Sequence, residues 1–370
     1  MATQKNILVL SGGGFKGAFQ WGALEYLLEQ QHIRFDRIAG VSVGALNGAL
    51  VAMDKFAELE ALWQQVQREG YSSIYTSEMV VMEGETVRPD FEAIIKKLLP
   101  RSLFRYGFQY VFNRPALIRE VMTNFNKIRS LADNSPLYRT LLRTVRRDDF
   151  KTAFQCGVVS LVDANYYTCR PEDFASDEEL GRAILASTAM PIVWEPVKEL
   201  RWKGDSVQNT TVIREVVDGG IRTVSPLGDV IQAIKEETTD VDDYVIYILN
   251  CNSWDLQADP ERNYHLTNIA LRALDDIAIN EIFNDDLKRY LEINELVTQV
   301  RNAQRDQSLP PDFRLTLGGK VLKCFQTVLI QPDPGEIGHT LDSSAVTIER
   351  RREAGYLKAK HAYEKAILNI

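Results

Sequence analysis

Short apolar runs alternate with helical patterns along the first part of the chain. Ile7–Leu10 is apolar throughout and is followed by a run of glycines, which is typical of a buried parallel strand. Between Ala18 and Leu28 the apolar residues recur at helical spacing. A second strand is expected within Ile33–Ala39 and a buried helix at Val43–Met53. Strands that alternate with helices in this way predict an α/β fold with a parallel sheet.

The same alternation returns after residue 150. The expected strands are Ala153–Val162, Thr210–Val217, Tyr244–Asn250 and Val321–Ile330, and the expected helices are Asp177–Ser187, Pro226–Glu237, Glu261–Val300 and Ala345–Ile370. No internal repeat and no low-complexity linker separates these elements. We therefore predict a single α/β domain over residues 1–370, with a central, mostly parallel sheet flanked by helices.

Residues 70–150 interrupt the alternation and differ in charge. Between Lys96 and Lys151 there are 13 basic and four acidic residues, a net charge of +9, whereas the whole chain carries −8 and the remainder therefore −17. Aromatic residues occupy every second position from Phe104 to Phe112. Helices are expected after them, at Pro115–Leu131 and Pro136–Val145. These features predict a basic, aromatic-rich and largely helical cap or lid, inserted within the α/β domain.

Composition removes several classes of protein. With 45% hydrophobic and 25% charged residues, the chain is neither disordered nor low in complexity. The four cysteines lie far apart without a CxxC pair, so a zinc ribbon is not expected and no metal or cofactor is predicted. No apolar stretch approaches the roughly 18 residues of a membrane-spanning helix. We therefore expect a cytoplasmic protein with reduced cysteines, which can still bind a membrane surface.

A GxSxG sequence is the first motif with chemical meaning. Gly40, Ser42 and Gly44 lie between a predicted strand and a predicted helix, as the turn called a nucleophile elbow requires. The turn would present the Ser42 hydroxyl at a helix N-terminus, where backbone N–H groups favour negative charge. Alone, the motif is equally compatible with a glycine-rich turn around a buried serine.

A glycine-rich loop precedes that motif. Gly12, Gly13 and Gly14 follow the first strand, and Lys16 and Gly17 come next. Consecutive glycines let backbone N–H groups approach a ligand oxygen, so this loop could form an oxyanion hole.

The same loop has a competing interpretation. Gly12, Gly14 and Gly17 also satisfy GxGxxG, with Asp36 at the distance of a ribose-binding carboxylate. A nucleotide-binding protein therefore stays as an alternative at this stage. A Walker A loop is excluded, because Ala18 follows Gly17.

The third motif is Asp218-Gly219-Gly220, at the end of a predicted strand. A carboxylate at this place could accept the Ser42 proton, and the glycines would allow it to lie close to the serine turn. The competing interpretation is a simple turn, because Asp-Gly is a common turn dipeptide.

Together, in this order, the three motifs resemble those of the patatin-like phospholipases: a GGGxKG loop, a GxSxG sequence and an Asp-Gly-Gly. Ala186–Pro191 and Glu353–Tyr356 also resemble family segments, the latter in bacterial members. Val224–Pro226 departs from plant members, which leaves the substrate preference open. The resemblance implies that Ser42 is the nucleophile and Asp218 the general base. It further implies an oxyanion hole formed by Gly12, Gly13, Gly14 and Val43, in which the amides of Gly13, Gly14 and Val43 would hold the oxyanion.

The implied activity is hydrolysis of acyl esters of phospholipids or lysophospholipids through an acyl-enzyme. A lipid acyltransferase with the same dyad is an alternative, because an alcohol would only replace water as the acceptor. A Ser-His-Asp triad that uses His339 is disfavoured, because too little chain precedes Ser42 for an α/β-hydrolase fold.

The basic cap suggests partners beyond the substrate. Basic residues and interfacial aromatics suit an anionic membrane surface, and an anionic regulator would fit as well. Nucleic acid is not expected, since no recognised motif accompanies the charge. An ordinary solvated basic face would have the same composition. The sequence leaves the oligomeric state open.

Overall fold

The computed structural model describes residues 4–83, 86–98, 114–203, 211–237, 244–256 and 272–367, together with the single residues 258, 260 and 269. The strands in these ranges are β1 (Lys5–Leu10), β2 (Arg37–Gly40), β3 (Val80–Glu83), β4 (Thr86–Pro89), β5 (Ala153–Ser160), β6 (Tyr166–Cys169), β7 (Val197–Trp202), β8 (Thr211–Asp218), β9 (Tyr244–Leu249), β10 (Thr316–Leu317), β11 (Lys320–Val321) and β12 (Gln326–Ile330). The α-helices are α1 (Gly17–Glu25), α2 (Val43–Ala52), α3 (Phe56–Glu69), α4 (Phe91–Leu98), α5 (Arg114–Phe125), α6 (Ser135–Thr144), α7 (Asp177–Ser187), α8 (Leu227–Glu237), α9 (Ile279–Arg305) and α10 (Ala345–Ile367).

The central sheet has a parallel half and an antiparallel half. Its strand order is β12-β9-β1-β2-β5-β8-β7, and β6 also pairs with β5. The neighbours from β12 to β5 are parallel, whereas β6 and β8 are antiparallel to β5, and β7 to β8. The predicted fold class, a central and mostly parallel sheet flanked by helices, is confirmed.

Helices cover both faces of the parallel half, which explains the continuous apolar runs. In β1, Leu8 and Leu10 pack into the cluster that contains α1, α2 and α3. Ile7 and Val9 pack on the opposite side with α8 and α9. Since successive side chains of a strand point to opposite faces, a strand that is buried on both sides must be apolar at every position.

The sequence did not predict β6 and β7. These strands belong to the antiparallel half, where β7 has exposed charged residues and only Leu200 is fully buried. A short strand with one solvated face lacks the continuous apolar run that made β1 recognisable.

Several predicted elements begin or end elsewhere. The helix expected at Pro115–Leu131 is α5, which ends at Phe125, and the Leu131 amide donates a hydrogen bond to the Ile192 carbonyl oxygen, 2.9 Å away. The last strand begins at Gln326. Of the long helix expected from residue 261, the structure describes a π-helical turn at Arg272–Ala278 and then α9.

The predicted cap lies between α3 and β5. Its described part consists of the β3–β4 hairpin and helices α4, α5 and α6. The alternating aromatic residues Phe104–Phe112 lie outside the described residues. The boundaries of the cap therefore stay a prediction.

Candidate active site

Ser42 lies in the turn between β2 and α2, and its backbone is strained. Its φ of 58° and ψ of −129° are rare for a residue with a side chain. A Cβ atom at Gly40 would collide with the backbone of Gly44, and one at Gly44 with the Leu10 carbonyl oxygen. The two glycines of GxSxG are therefore required, because strand and helix cross too closely for side chains.

The Ser42 turn is held by a second serine. The hydroxyl of Ser187 accepts a hydrogen bond from the Ser42 amide at 3.1 Å and donates one to the Gly157 carbonyl oxygen at 2.7 Å. Nearby, the carbonyl oxygen of Ala189 accepts the Asp218 amide at 3.0 Å. The segment Ala186–Pro191 thus connects the serine turn with the aspartate turn. Its resemblance to a family segment marked it in the sequence, but gave Ser187 no role.

Asp218 ends β8 in a tight backbone crossing. One carboxylate oxygen accepts the Gly220 amide at 2.7 Å, and a Cβ atom at Gly219 would stand 2.5 Å from the Gly157 carbonyl oxygen. The glycines therefore allow β8 to approach β5, while Gly220 orients the carboxylate. Asp218 is 5% exposed and Ser42 is 8% exposed.

Ser42 and Asp218 line one pocket of about 520 Å³, which we call the serine pocket. Its wall includes Gly12, Gly13 and Gly14 on one side and Thr340 on another. The structure thus brings together residues from all three sequence motifs.

The glycine loop does not contribute its amides equally. The amide of Gly12 donates a hydrogen bond to the Val224 carbonyl oxygen at 3.0 Å, and the place of Gly12 in the oxyanion hole stays a prediction. Gly12 instead leaves room for the nucleophile, since a Cβ atom there would lie 3.2 Å from the Ser42 Cβ atom. The amides of Gly13 and Gly14 form no hydrogen bond with the described residues.

A distant loop supports the glycine loop. The Thr340 carbonyl oxygen accepts a hydrogen bond from the Phe15 amide at 3.0 Å. The loop of Thr340 is in turn fixed by Arg351, whose guanidinium donates to three carbonyl oxygens of residues 337–342 at 2.5–2.7 Å. Arg351 is fully buried, and this burial lowers the pKa of its guanidinium to about 10. No signal in the sequence indicated that Thr340 and Arg351 belong to the site.

Two further pockets adjoin the serine pocket. The apolar pocket, of about 560 Å³, also reaches Ser42, and Val43 lines it together with side chains that include Leu46, Trp63, Leu137 and Trp194. The polar pocket, of about 780 Å³, lies beside Lys16 and is formed largely by residues 251–339. Asn252 lines both the serine pocket and the polar pocket. Its side-chain oxygen accepts a hydrogen bond from the Lys16 ammonium at 3.2 Å.

The nucleotide-binding alternative does not fit the topology. Asp36 precedes β2 and its carboxylate accepts the Asn6 amide at the start of β1. The glycine loop follows the opposite, carboxyl end of β1, and β1 and β2 are parallel. A ribose carboxylate must lie at the carboxyl end with the glycine loop, so Asp36 cannot have this role.

The triad alternative also lacks support in the described part of the chain. His32, His339 and His361 are described there, and none of them lines the serine pocket. His265 lies outside the described residues. In the same ranges, no group of three or more His, Cys, Asp and Glu residues is placed to hold a metal ion.

A comparison with models of protein families matches residues 8–231 to the patatin-like phospholipases. The chain belongs to this family. Membership supports lipid acyl hydrolysis as the general activity. Among solved structures, the chain is similar to VipD from Legionella pneumophila, with 12% identity, a TM-score of 0.38 and coverage of 98% of this chain and 67% of VipD.

None of the curated proteins compared with the chain matches it. Within the described residues, no helix has the length and apolar character needed to cross a bilayer.

Proposed function

We propose that the protein hydrolyses acyl esters of phospholipids or lysophospholipids with a Ser42–Asp218 dyad. The observation that carries this proposal is the strained Ser42, which shares a pocket with a buried Asp218 and with the glycine loop. The apolar pocket opens at the same serine, so an acyl chain can lie there while its ester carbonyl reaches the hydroxyl.

In the first step, Asp218 takes the proton of the Ser42 hydroxyl as the serine oxygen attacks the ester carbonyl carbon. The amides of Gly13, Gly14 and Val43 stabilise the negative carbonyl oxygen of the tetrahedral intermediate. The intermediate collapses, the lipid alcohol leaves with the proton from Asp218, and an acyl-enzyme remains. In the second step, water loses a proton to Asp218 and attacks the carbonyl carbon of the acyl-enzyme. The bond to the Ser42 oxygen then breaks, Asp218 returns the proton to that oxygen, and the fatty acid is released.

The test combines probe labelling and lipid hydrolysis. We expect a fluorophosphonate probe to label the wild type but not Ser42→Ala, while the exposed Ser308→Ala control is labelled like the wild type. Asp218→Asn should lower lysophospholipid hydrolysis at least about 10³-fold, because it removes the general base. Labelling of Ser42→Ala at the wild-type rate would contradict the assignment of the nucleophile.

We also propose that the cap contacts the surface of anionic membranes. In its described part, Ile95, Met122 and Phe125 are large apolar side chains that are each more than half exposed. Lys96 and Lys97 are exposed on α4. Apolar side chains next to basic ones suit the boundary between headgroups and acyl chains.

Vesicle sedimentation tests this contact. Binding should require anionic lipid and weaken as salt rises from 0.05 to 0.5 M, because each lysine contributes about 1 kcal/mol through a screened interaction. Lys96→Glu with Lys97→Glu should reduce binding about tenfold or more, whereas Lys288→Glu, on α9, should not. Equal binding to neutral and anionic vesicles would contradict the proposal.

A further inference from the structure

The polar pocket differs from a surface groove in that it is lined by a buried polar group, the side chain of Asn280. Asn280 is 4% exposed. Its side-chain oxygen has no hydrogen-bond partner among the described residues. A buried amide oxygen that makes no hydrogen bond costs free energy. A donor group of a ligand would satisfy it.

The polar pocket adjoins the serine pocket at Asn252, which lines both. Ile279 of the serine pocket precedes Asn280 of the polar pocket in the chain, and Thr340 of the serine pocket follows His339 of the polar pocket. The two pockets are therefore neighbours, and a substrate whose ester lies at Ser42 can extend its other end toward the polar pocket.

The charges of the pocket fit an anionic group. Lys16 and Arg272 line it together with His339. Of the two carboxylates among the described lining residues, Asp333 forms an ion pair with Lys358 at 2.6 Å, which offsets its charge, and Asp255 is exposed to solvent. Arginine and lysine are the usual partners of phosphate, which binds them through charge-assisted hydrogen bonds.

We infer that the polar pocket binds the phosphate-bearing headgroup of the lipid, with the phosphate toward Lys16 and Arg272 and a hydroxyl or ammonium group of the headgroup toward Asn280. This inference rests on the proposed function, because it assigns a binding site to the polar headgroup, which an apolar pocket cannot bind. The pocket would make the enzyme prefer lysophospholipids over neutral monoacylglycerols of the same chain length.

The test compares two substrates that differ only in the headgroup. Palmitoyl lysophosphatidylglycerol and monopalmitoylglycerol are presented in the same mixed micelles, and the ratio of their kcat/KM values is measured. Arg272→Met and Asn280→Leu should each lower this ratio about tenfold, the effect of one lost charge-assisted or buried hydrogen bond. Asn280→Asp keeps the shape but adds a negative charge, so it should lower the ratio at least as much.

Arg289→Met is the matched control. It removes a positive charge from an exposed position of α9 that does not line the polar pocket, so the ratio should equal that of the wild type. An unchanged ratio in both Arg272→Met and Asn280→Leu, with Ser42-dependent hydrolysis of monopalmitoylglycerol intact, would overturn the headgroup inference alone. Absence of hydrolysis of both lipids, together with absence of Ser42 labelling, would overturn the proposed function and the inference with it.

Inhibition distinguishes a headgroup from a free anion. Glycerophosphate should inhibit lysophospholipid hydrolysis competitively, and its inhibition constant should rise about tenfold in Arg272→Met. If inorganic phosphate inhibits as strongly as glycerophosphate, and the substrate ratio is the same in all variants, the pocket is a site for free phosphate and the inference is wrong.

Discussion

The apolar pocket and the polar pocket are both next to the active site but differ in origin. The apolar pocket is built from residues 14–194, all within the segment that matches the family. The polar pocket takes every lining residue except Lys16 from residues 251–339, beyond that segment. The proposed site for an acyl chain thus lies within the segment that shows the family. The proposed headgroup site depends on a part of the chain that the family match does not cover.

The glycine loop contacts the loop of residues 337–342, where the Phe15 amide donates a hydrogen bond to the Thr340 carbonyl oxygen, and the proposed mechanism places the reacting carbonyl at this junction. Changes at this junction should affect every substrate, whereas changes within one pocket should affect only one end of the lipid. Three variants test this division, from the largest expected effect to the smallest.

Gly14→Ala should have the largest effect. Gly14 has a φ of 53°, and a Cβ atom there would lie 2.7 Å from Thr340 Cγ2, so the loop must shift. The loss of one oxyanion donor typically lowers kcat about 10²–10³-fold. Lysophospholipid and monoacylglycerol should be affected equally. Gly228→Ala is the control, because its Cβ atom would have no atom within 4 Å and kcat should not change. A loss of kcat with only one of the two substrates would contradict the division between the junction and the pockets.

Arg351→Met should have the second-largest effect. The change leaves three carbonyl oxygens of residues 337–342 without their donor, which should lower the free energy of unfolding by about 3 kcal/mol. Urea denaturation measures this loss. Arg34→Met, the control, removes an exposed ion pair with Asp54 and should cost about 1 kcal/mol or less.

The same variant also has a readout in catalysis. Since the loop of residues 337–342 borders both the serine pocket and the polar pocket, kcat and the headgroup ratio should both fall. Arg351→Lys should restore part of each. A loss of stability with unchanged kinetics at low temperature would show that the loop does not position the glycine loop.

Leu46→Trp should have the smallest and most selective effect. Leu46 lines the apolar pocket, and a larger side chain shortens the space for an acyl chain. The ratio of kcat/KM for palmitoyl over butyryl esters should fall about tenfold, in line with roughly 0.8 kcal/mol for each buried CH₂ group. The headgroup ratio should not change. Leu296→Trp, on an exposed position of α9, is the control and should leave both ratios as in the wild type.

Much of the reactive centre could be predicted from the sequence, because its geometry is local. The GxSxG spacing is required where β2 and α2 cross, so Gly40, Ser42 and Gly44 were recognisable without a structure. In the same way, the continuous apolar run of β1 indicated a strand covered on both faces. The α/β class followed from that alternation.

Other features could not be predicted, because they join residues that are far apart in the chain. Whether the Gly12 amide is available depends on Val224, more than 200 positions away, whose carbonyl oxygen accepts it. The hydrogen bond that fixes the Ser42 amide depends on the hydroxyl of Ser187. The position of Asp36 became clear only from the direction of β1 and β2. The spacing of residues within a short motif does not indicate hydrogen-bond partners that lie far away in the chain.

The sequence by itself therefore determined the fold class, the nucleophile candidate and the carboxylate candidate, since each is fixed by the conformation of a few consecutive residues. The tertiary structure decided which amide of the glycine loop is bonded within the fold, how Arg351 fixes the loop of residues 337–342, and that a polar pocket and an apolar pocket both adjoin the serine pocket. The physical reason is that backbone turns are set by neighbours in the chain, whereas pockets and hydrogen-bond partners are set by packing between distant segments.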